Sequence, residues 1–184
     1  NVFLTGADAQ ARELFCYDVY TGELKWSAKA DNISGSPSSM PSVTGDTGLA
    51  ASTVATNGSE VCAIFATGDV LCCDMEGKRL WAKNLGVPDN HYGFASSLLI
   101  FGNSLIVQYL NNNKTQLMAL NVKTGNTVWT KATKDKIAWS SPIITSAGGK
   151  SILVVTSNPA VTAYNPSSGA ELWRVECLSG EVGA

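Results

Sequence analysis

Ala119-Leu-Asn-Val-Lys-Thr-Gly-Asn-Thr-Val-Trp129 decides how this chain folds. It joins an extended apolar run to a Thr-Gly turn and places a tryptophan four residues beyond the glycine. The pattern occurs four times, the other copies being Cys16-Tyr-Asp-Val-Tyr-Thr-Gly-Glu-Leu-Lys-Trp26, Cys72-Cys-Asp-Met-Glu-Gly-Lys-Arg-Leu-Trp81 and Ala163-Tyr-Asn-Pro-Ser-Ser-Gly-Ala-Glu-Leu-Trp173. Each copy begins on a small residue and carries Asp or Asn two positions later. The second is one residue short before Gly77.

Every position has a physical reason. A small residue in a strand leaves room for a bulky neighbour, and Asp or Asn at the strand end bonds its own downstream amides and starts the turn. Gly22, Gly77, Gly125 and Gly169 are expected to supply the positive φ of a tight hairpin. Trp26, Trp81, Trp129 and Trp173 then fall on the return strand, where truncation of a buried indole to alanine costs about 3–5 kcal/mol. Trp26, Trp81 and Trp129 are expected to be buried between neighbouring repeats, against Cys72, Ala119 and Ala163 of the next copy.

The pattern Ala-x-Asp/Asn-x-x-Thr-Gly-Asp/Glu-x-x-Trp resembles the tryptophan-docking motif of PQQ-like β-propeller repeats, found in the quinoprotein alcohol dehydrogenase-like superfamily and in bacterial relatives without the quinone. Segments such as Leu85-Gly-Val-Pro-Asp-Asn-His-Tyr-Gly93 are similar to secreted bacterial PQQ-like repeat proteins. The chain departs from the motif at Cys16, Cys72, Ser168, Lys78, Asn126 and Ala170. The resemblance implies an all-β fold: a β-propeller fragment of about four blades, each a four-stranded antiparallel meander with its tryptophan on the outermost strand. Tryptophans recur every 44 to 55 residues, which places blades over approximately 1–30, 48–84, 94–132 and 139–177. The first blade is expected to lack its inner strand. Such rings close with seven or eight blades by resemblance, so the chain reads as about half a ring and as part of a longer protein.

Composition narrows the function. The chain has 184 residues, a formal charge of −2 and 15% charged residues, below the quarter or so usual for soluble domains. No basic patch suits a phosphate backbone, so nucleic acid is not an expected partner. The longest apolar region, Ser97 to Leu110, is broken at Gly102-Asn-Ser104 and is too short to span a bilayer. No signal peptide is visible, and an extracytoplasmic location, periplasmic or secreted, follows from the resemblance alone. The five cysteines, at 16, 62, 72, 73 and 177, give neither an even framework nor a metal-binding spacing and read mostly as small core residues. Adjacent Cys72 and Cys73 point to opposite faces of a strand and are expected not to bond to each other.

In propellers of this kind the loops leading into each blade and the hairpins between second and third strands share one face, at the mouth of the central channel. That face carries Asp31, Asn32, Asn84, Asp89-Asn-His-Tyr92, Lys134-Asp-Lys136 and Trp139, with Asn111, Asn112, Asn113 and Asn158 at hairpin tips. The candidate binding residues are Asn90, His91, Tyr92, Lys134 and Trp139. An imidazole is a general base and a metal ligand, but His91 has no His-x-His or Glu-x-x-His companion, so no metal site is expected and no catalytic residue is assigned. The segments around Ser52-Thr53, Ser96-Ser97 and Ser140-Ser141 fall at equivalent places, with small hydroxyl residues suited to the crowded ring axis. The expected role is binding or scaffolding of a protein or small polar ligand, without a cofactor. The alternatives that the resemblance implies are a PQQ- and calcium-dependent quinoprotein dehydrogenase and an envelope protein-assembly scaffold. Self-association through open end blades is a further expectation.

Overall fold

The computed structural model describes residues 1–109, 114–136 and 138–179. The Asn111 to Asn113 hairpin tip and the tail from Glu181, on which two expectations fell, lie outside the described residues. No helix forms among those described. The first sheet is a three-stranded meander of β1 (Val2–Ala7), β2 (Arg12–Tyr17) and β3 (Leu24–Lys29). The second holds β4 (Ala55–Thr56), β5 (Glu60–Ile64), β6 (Asp69–Asp74) and β7 (Arg79–Asn84). The third holds β8 (Leu99–Phe101), β9 (Ser104–Tyr109), β10 (Gln116–Asn121) and β11 (Thr127–Ala132). The fourth holds β12 (Ile143–Ala147), β13 (Lys150–Thr156), β14 (Ala160–Tyr164) and β15 (Glu171–Glu176). All pairings are antiparallel.

The four sheets stack in chain order as propeller blades, because strands inside the stack bury both faces. Along β5, Val61 and Ala63 join Leu14 and Leu71 against the first sheet, while Cys62 and Ile64 join Leu105 and Val107 against the third. Period-two alternation thus feeds two cores from one strand. Ile106, Leu117 and Ala119 meet Leu153, Val155 and Tyr164 at the next seam. No core cluster among the described residues joins the first sheet to the fourth. The arc is open there, with Trp173 45% and Val175 51% exposed.

One joint repeats at all three seams. Trp26 Nε1 donates to Met75 O at 3.0 Å, Trp81 Nε1 to Val122 O at 2.7 Å and Trp129 Nε1 to Pro166 O at 3.1 Å. Each acceptor is the carbonyl one residue after the turn Asp or Asn. The indole lies over the turn glycine, so that a Cβ built on Gly77, Gly125 or Gly169 would sit 2.6, 2.7 or 2.6 Å from the ring. These glycines also hold φ of +86°, +71° and +67°, a region that side chains disfavour. The expectation that each indole packs on the small residue of the next copy is corrected. In register, Cys16, Cys72, Ala119 and Ala163 lie opposite Trp26, Trp81, Trp129 and Trp173 of their own sheets. Residues opposite each other share one face of a sheet, so the small side chain makes room for its own blade's indole, which then reaches across to the neighbouring glycine. Trp26, Trp81 and Trp129 remain half-buried at the outer edge.

The inner strands are shorter than the sequence suggests. Ala50 to Thr56 and Ala95 to Phe101 read as strands, yet β4 begins at Ala55 and β8 at Leu99. Hydroxyls occupy the backbone groups that a ladder would use. Ser52 Oγ donates to Phe94 O and Ser96 O, Thr53 N donates to Ser97 Oγ at 3.1 Å, and Ser97 N donates to Ser141 Oγ at 3.0 Å. A chain of side-chain bonds therefore ties consecutive blades, and it gives partners to amides that no strand partner reaches.

The cysteines also differ from expectation. Cys62 lies directly opposite Cys72 with Cα atoms 4.2 Å apart, and the two form a disulfide. An odd total does not prevent one pair. Cys73 faces the other way, unbonded and buried.

Candidate functional site

Loops leading into the blades and hairpins between second and third strands lie side by side. Ala66 N donates to Leu49 O, Leu85 N to Gly68 O, and Lys136 N to Asn158 O, each at 2.8 to 2.9 Å. The longest of these loops, between β3 and β4, is anchored by Asp69. This fully buried carboxylate sits 3.1 Å from Arg12 Nε and accepts from Ser36 Oγ, Thr67 Oγ1 and Asn84 Nδ2. Arg79 holds the start of the same loop through Asp31 O at 2.7 Å. Asp31 and Asn84, candidates for the binding face, are therefore occupied in shaping it. Asn32 holds the turn at φ +50°.

Three consecutive leading loops converge next to the axis. Thr44 N of the first donates to His91 O of the second at 2.9 Å. Trp139 Nε1 of the third donates to Asn90 Oδ1 at 3.2 Å. The rings of His91 and Tyr92 lie 4.1 Å apart, and Trp139 meets them edge-on at 5.8 and 4.8 Å. Edge-to-face contacts of this kind suit aromatic quadrupoles. Asp46 adds an acid beside the cluster: the Thr44 hydroxyl foremost, then its own backbone amide, His91 and the Thr47 hydroxyl, hold its carboxyl below the usual carboxylate range. His91 is exposed, whereas Asn90, Tyr92 and Trp139 are half-buried. The surface offers flat aromatic faces, an imidazole and a carboxylate to an incoming group.

The structure thus brings together four of the five candidate residues and separates the fifth. Lys134 follows the outermost strand β11 and belongs to the rim, where it lines a cleft of about 580 Å³ with residues of β14 and β15. Its neighbour Asp135 is buried and paired with Arg174. Asp69 and Arg174 were missed by sequence reasoning because their partners Arg12 and Asp135 lie far off in sequence, and Thr44 and Asp46 because their loop meets His91 only in the fold.

Residues 32–131 and 113–184 match the PQQ-like family described as outer membrane protein assembly factor BamB. No curated protein sequence matches the chain. Among solved structures it is similar to BamB from Moraxella catarrhalis, with 17% identity and a TM-score of 0.63 over 94% of this chain and 47% of that one. It is also similar to a europium-containing methanol dehydrogenase, with 10% identity and a TM-score of 0.69 over 96% of this chain and 40% of that one. A quinohemoprotein alcohol dehydrogenase from Comamonas testosteroni matches at 14% identity and a TM-score of 0.64, over 95% of this chain and 33% of that one. The chain spans between a third and half of the length of these structures, and at such identities the likeness shows the fold.

The described residues do not fit a quinone with its calcium ion. No group of three His, Cys, Asp or Glu side chains among them converges on a cation position. The two buried aspartates are taken up by Arg12 and Arg174.

Proposed function

The chain belongs to the PQQ-like β-propeller family described as outer membrane protein assembly factor BamB, and from that premise we propose that it is a recognition surface for polypeptide, acting without catalysis outside the cytoplasm. The observation that carries this reading is the convergence of three leading loops on His91, Tyr92 and Trp139. Aromatic rings held at fixed angles give large contact area at small entropic cost, the property that concentrates them at protein interfaces. Asn90 and Asp46 add an amide and a carboxylate for the backbone of an extended segment. The Cys62–Cys72 disulfide suits an oxidising compartment, in keeping with an envelope location. The quinoprotein reading has the fold likeness on its side but no fitting donor set among the described residues.

A peptide-display selection on the whole chain tests the proposal, with a Trp139→Ala variant as counter-selection. Peptides enriched on the wild type and released by the variant are expected. If nothing is enriched, or the variant retains the same peptides, recognition does not occur at this cluster. Saturable uptake of PQQ with calcium, accompanied by dye-linked alcohol oxidation, would establish the rival instead.

A further inference from the structure

The rim cleft between the third and fourth blades has no part in the aromatic mouth. Its lining includes Lys131, Lys134, Lys136 and Arg174, four of the chain's thirteen lysines and arginines, with Glu171 and Glu176. Arg174 is spent, because it bonds buried Asp135 and Thr162 Oγ1 and lies 3.7 Å from Glu176. The three lysines form no ion pair among the described residues. Counted with buried Asp135, the four cations face Asp135, Glu171 and Glu176, a local formal charge of +1 in a chain whose net charge is −2, and Lys131, Lys134 and Lys136 are the cations left outside an ion pair among the described residues. Thr133 is also in the lining, although its Oγ1 is itself buried beneath the surface. The cleft is open to solvent and has a volume of about 580 Å³, within the range of ligand-binding clefts.

We infer that this cleft binds a carboxylate-rich peptide segment. The inference rests on the polypeptide-recognition reading and adds to it the charge of the partner. Lysines at 134 and 136 flank Asp135, whose carboxylate is turned to Arg174, so two ammonium groups stand on one short loop with Lys131 on the adjoining strand. Spaced ammonium groups match successive acidic side chains of an extended segment, and such rim charges govern association and its salt dependence. Arg174, locked on Asp135, fixes the loop that carries them.

Fluorescent hexaglutamate, with hexaglutamine as the neutral control, is titrated into the whole chain and followed by anisotropy. Saturable binding of hexaglutamate alone is expected, weakened about tenfold between low and physiological salt. Lys134→Glu combined with Lys136→Glu reverses two exposed charges and should abolish it, whereas Lys123→Glu, on the opposite-face turn, and Trp139→Ala should leave it unchanged. Absence of hexaglutamate binding, equal binding of hexaglutamine, or equal losses with Lys123→Glu overturns the inference. Because Trp139→Ala is the variant that tests the aromatic mouth, failure of one site is distinguishable from failure of the other.

Discussion

Gly125 and Gly22 share a conformation, φ +71° and +72°, but differ in what lies above them. A Cβ on Gly125 meets the Trp81 ring at 2.7 Å, whereas one on Gly22 meets nothing within 4 Å. Gly22→Ala is therefore expected to cost the backbone term alone, about 1–2 kcal/mol. Gly125→Ala should add the displaced indole and its bond to Val122 O, for a total of about 3–5 kcal/mol. Urea unfolding midpoints of the two variants measure the joint by difference, and equal losses would remove it from the account. The thiols give a second residue-scale prediction. Burial, reinforced by the neighbouring Asp74 carboxylate, pushes the Cys73 thiol up to about 11, so it stays protonated and unreactive at pH 8. Native protein is expected to alkylate at exposed Cys177 alone, with Cys16 and Cys73 reacting on unfolding and Cys62 and Cys72 after reduction. Mass spectrometry of the labelled peptides decides it. Glycine and tryptophan spacing was legible in the sequence because both act within one repeat. The Cys62–Cys72 bond was not, because it depends on the register that the Thr67-Gly68 turn imposes between two strands.

At the scale of elements, Asp69 anchors the longest loop to two sheets. Asp69→Ala leaves Arg12 mostly buried and unpaired and releases Ser36, which should destabilise the chain by about 3–5 kcal/mol. Asp31→Ala, which removes a largely exposed pair with Arg79, should cost less than about 1 kcal/mol. Thermal melts of both variants test the contrast, and similar shifts would show that Asp69 is no anchor. Nothing around Gly68-Asp69 announces this role, since the sequence there reads as a hairpin and the arginine belongs to another blade. The shortened inner strands have the same origin. They read as extended, but the hydroxyls of Ser52, Ser97 and Ser141 take backbone groups across a seam, a competition that no single repeat displays. The leading loops and hairpins lie side by side in the structure, while the separation of Lys134 from Trp139 follows from radial position: one residue leaves an outer strand and the other enters an inner one.

For the whole molecule, the repeated joint leaves two complementary halves open. Trp173 has an exposed ring, and Gly22 with the Val19 carbonyl forms an uncovered seat of the kind that receives Trp26, Trp81 and Trp129 at the closed seams. Apolar faces of this type favour closure. The isolated 1–184 chain is expected to associate head to tail, with Trp173→Ala shifting it to monomer in sedimentation runs; a wild type that is monomeric across the concentration series would contradict this. Polypeptide recognition by the leading-loop face makes the sharpest demand on the molecule. Amide hydrogen exchange of the chain, with and without a peptide selected on it, reads that face directly. Protection should rise in 43–47, 89–93 and 138–141 and stay unchanged in the opposite-face turns at 20–22, 76–77 and 123–125. Protection of those turns, or none at the three loops, would contradict the account.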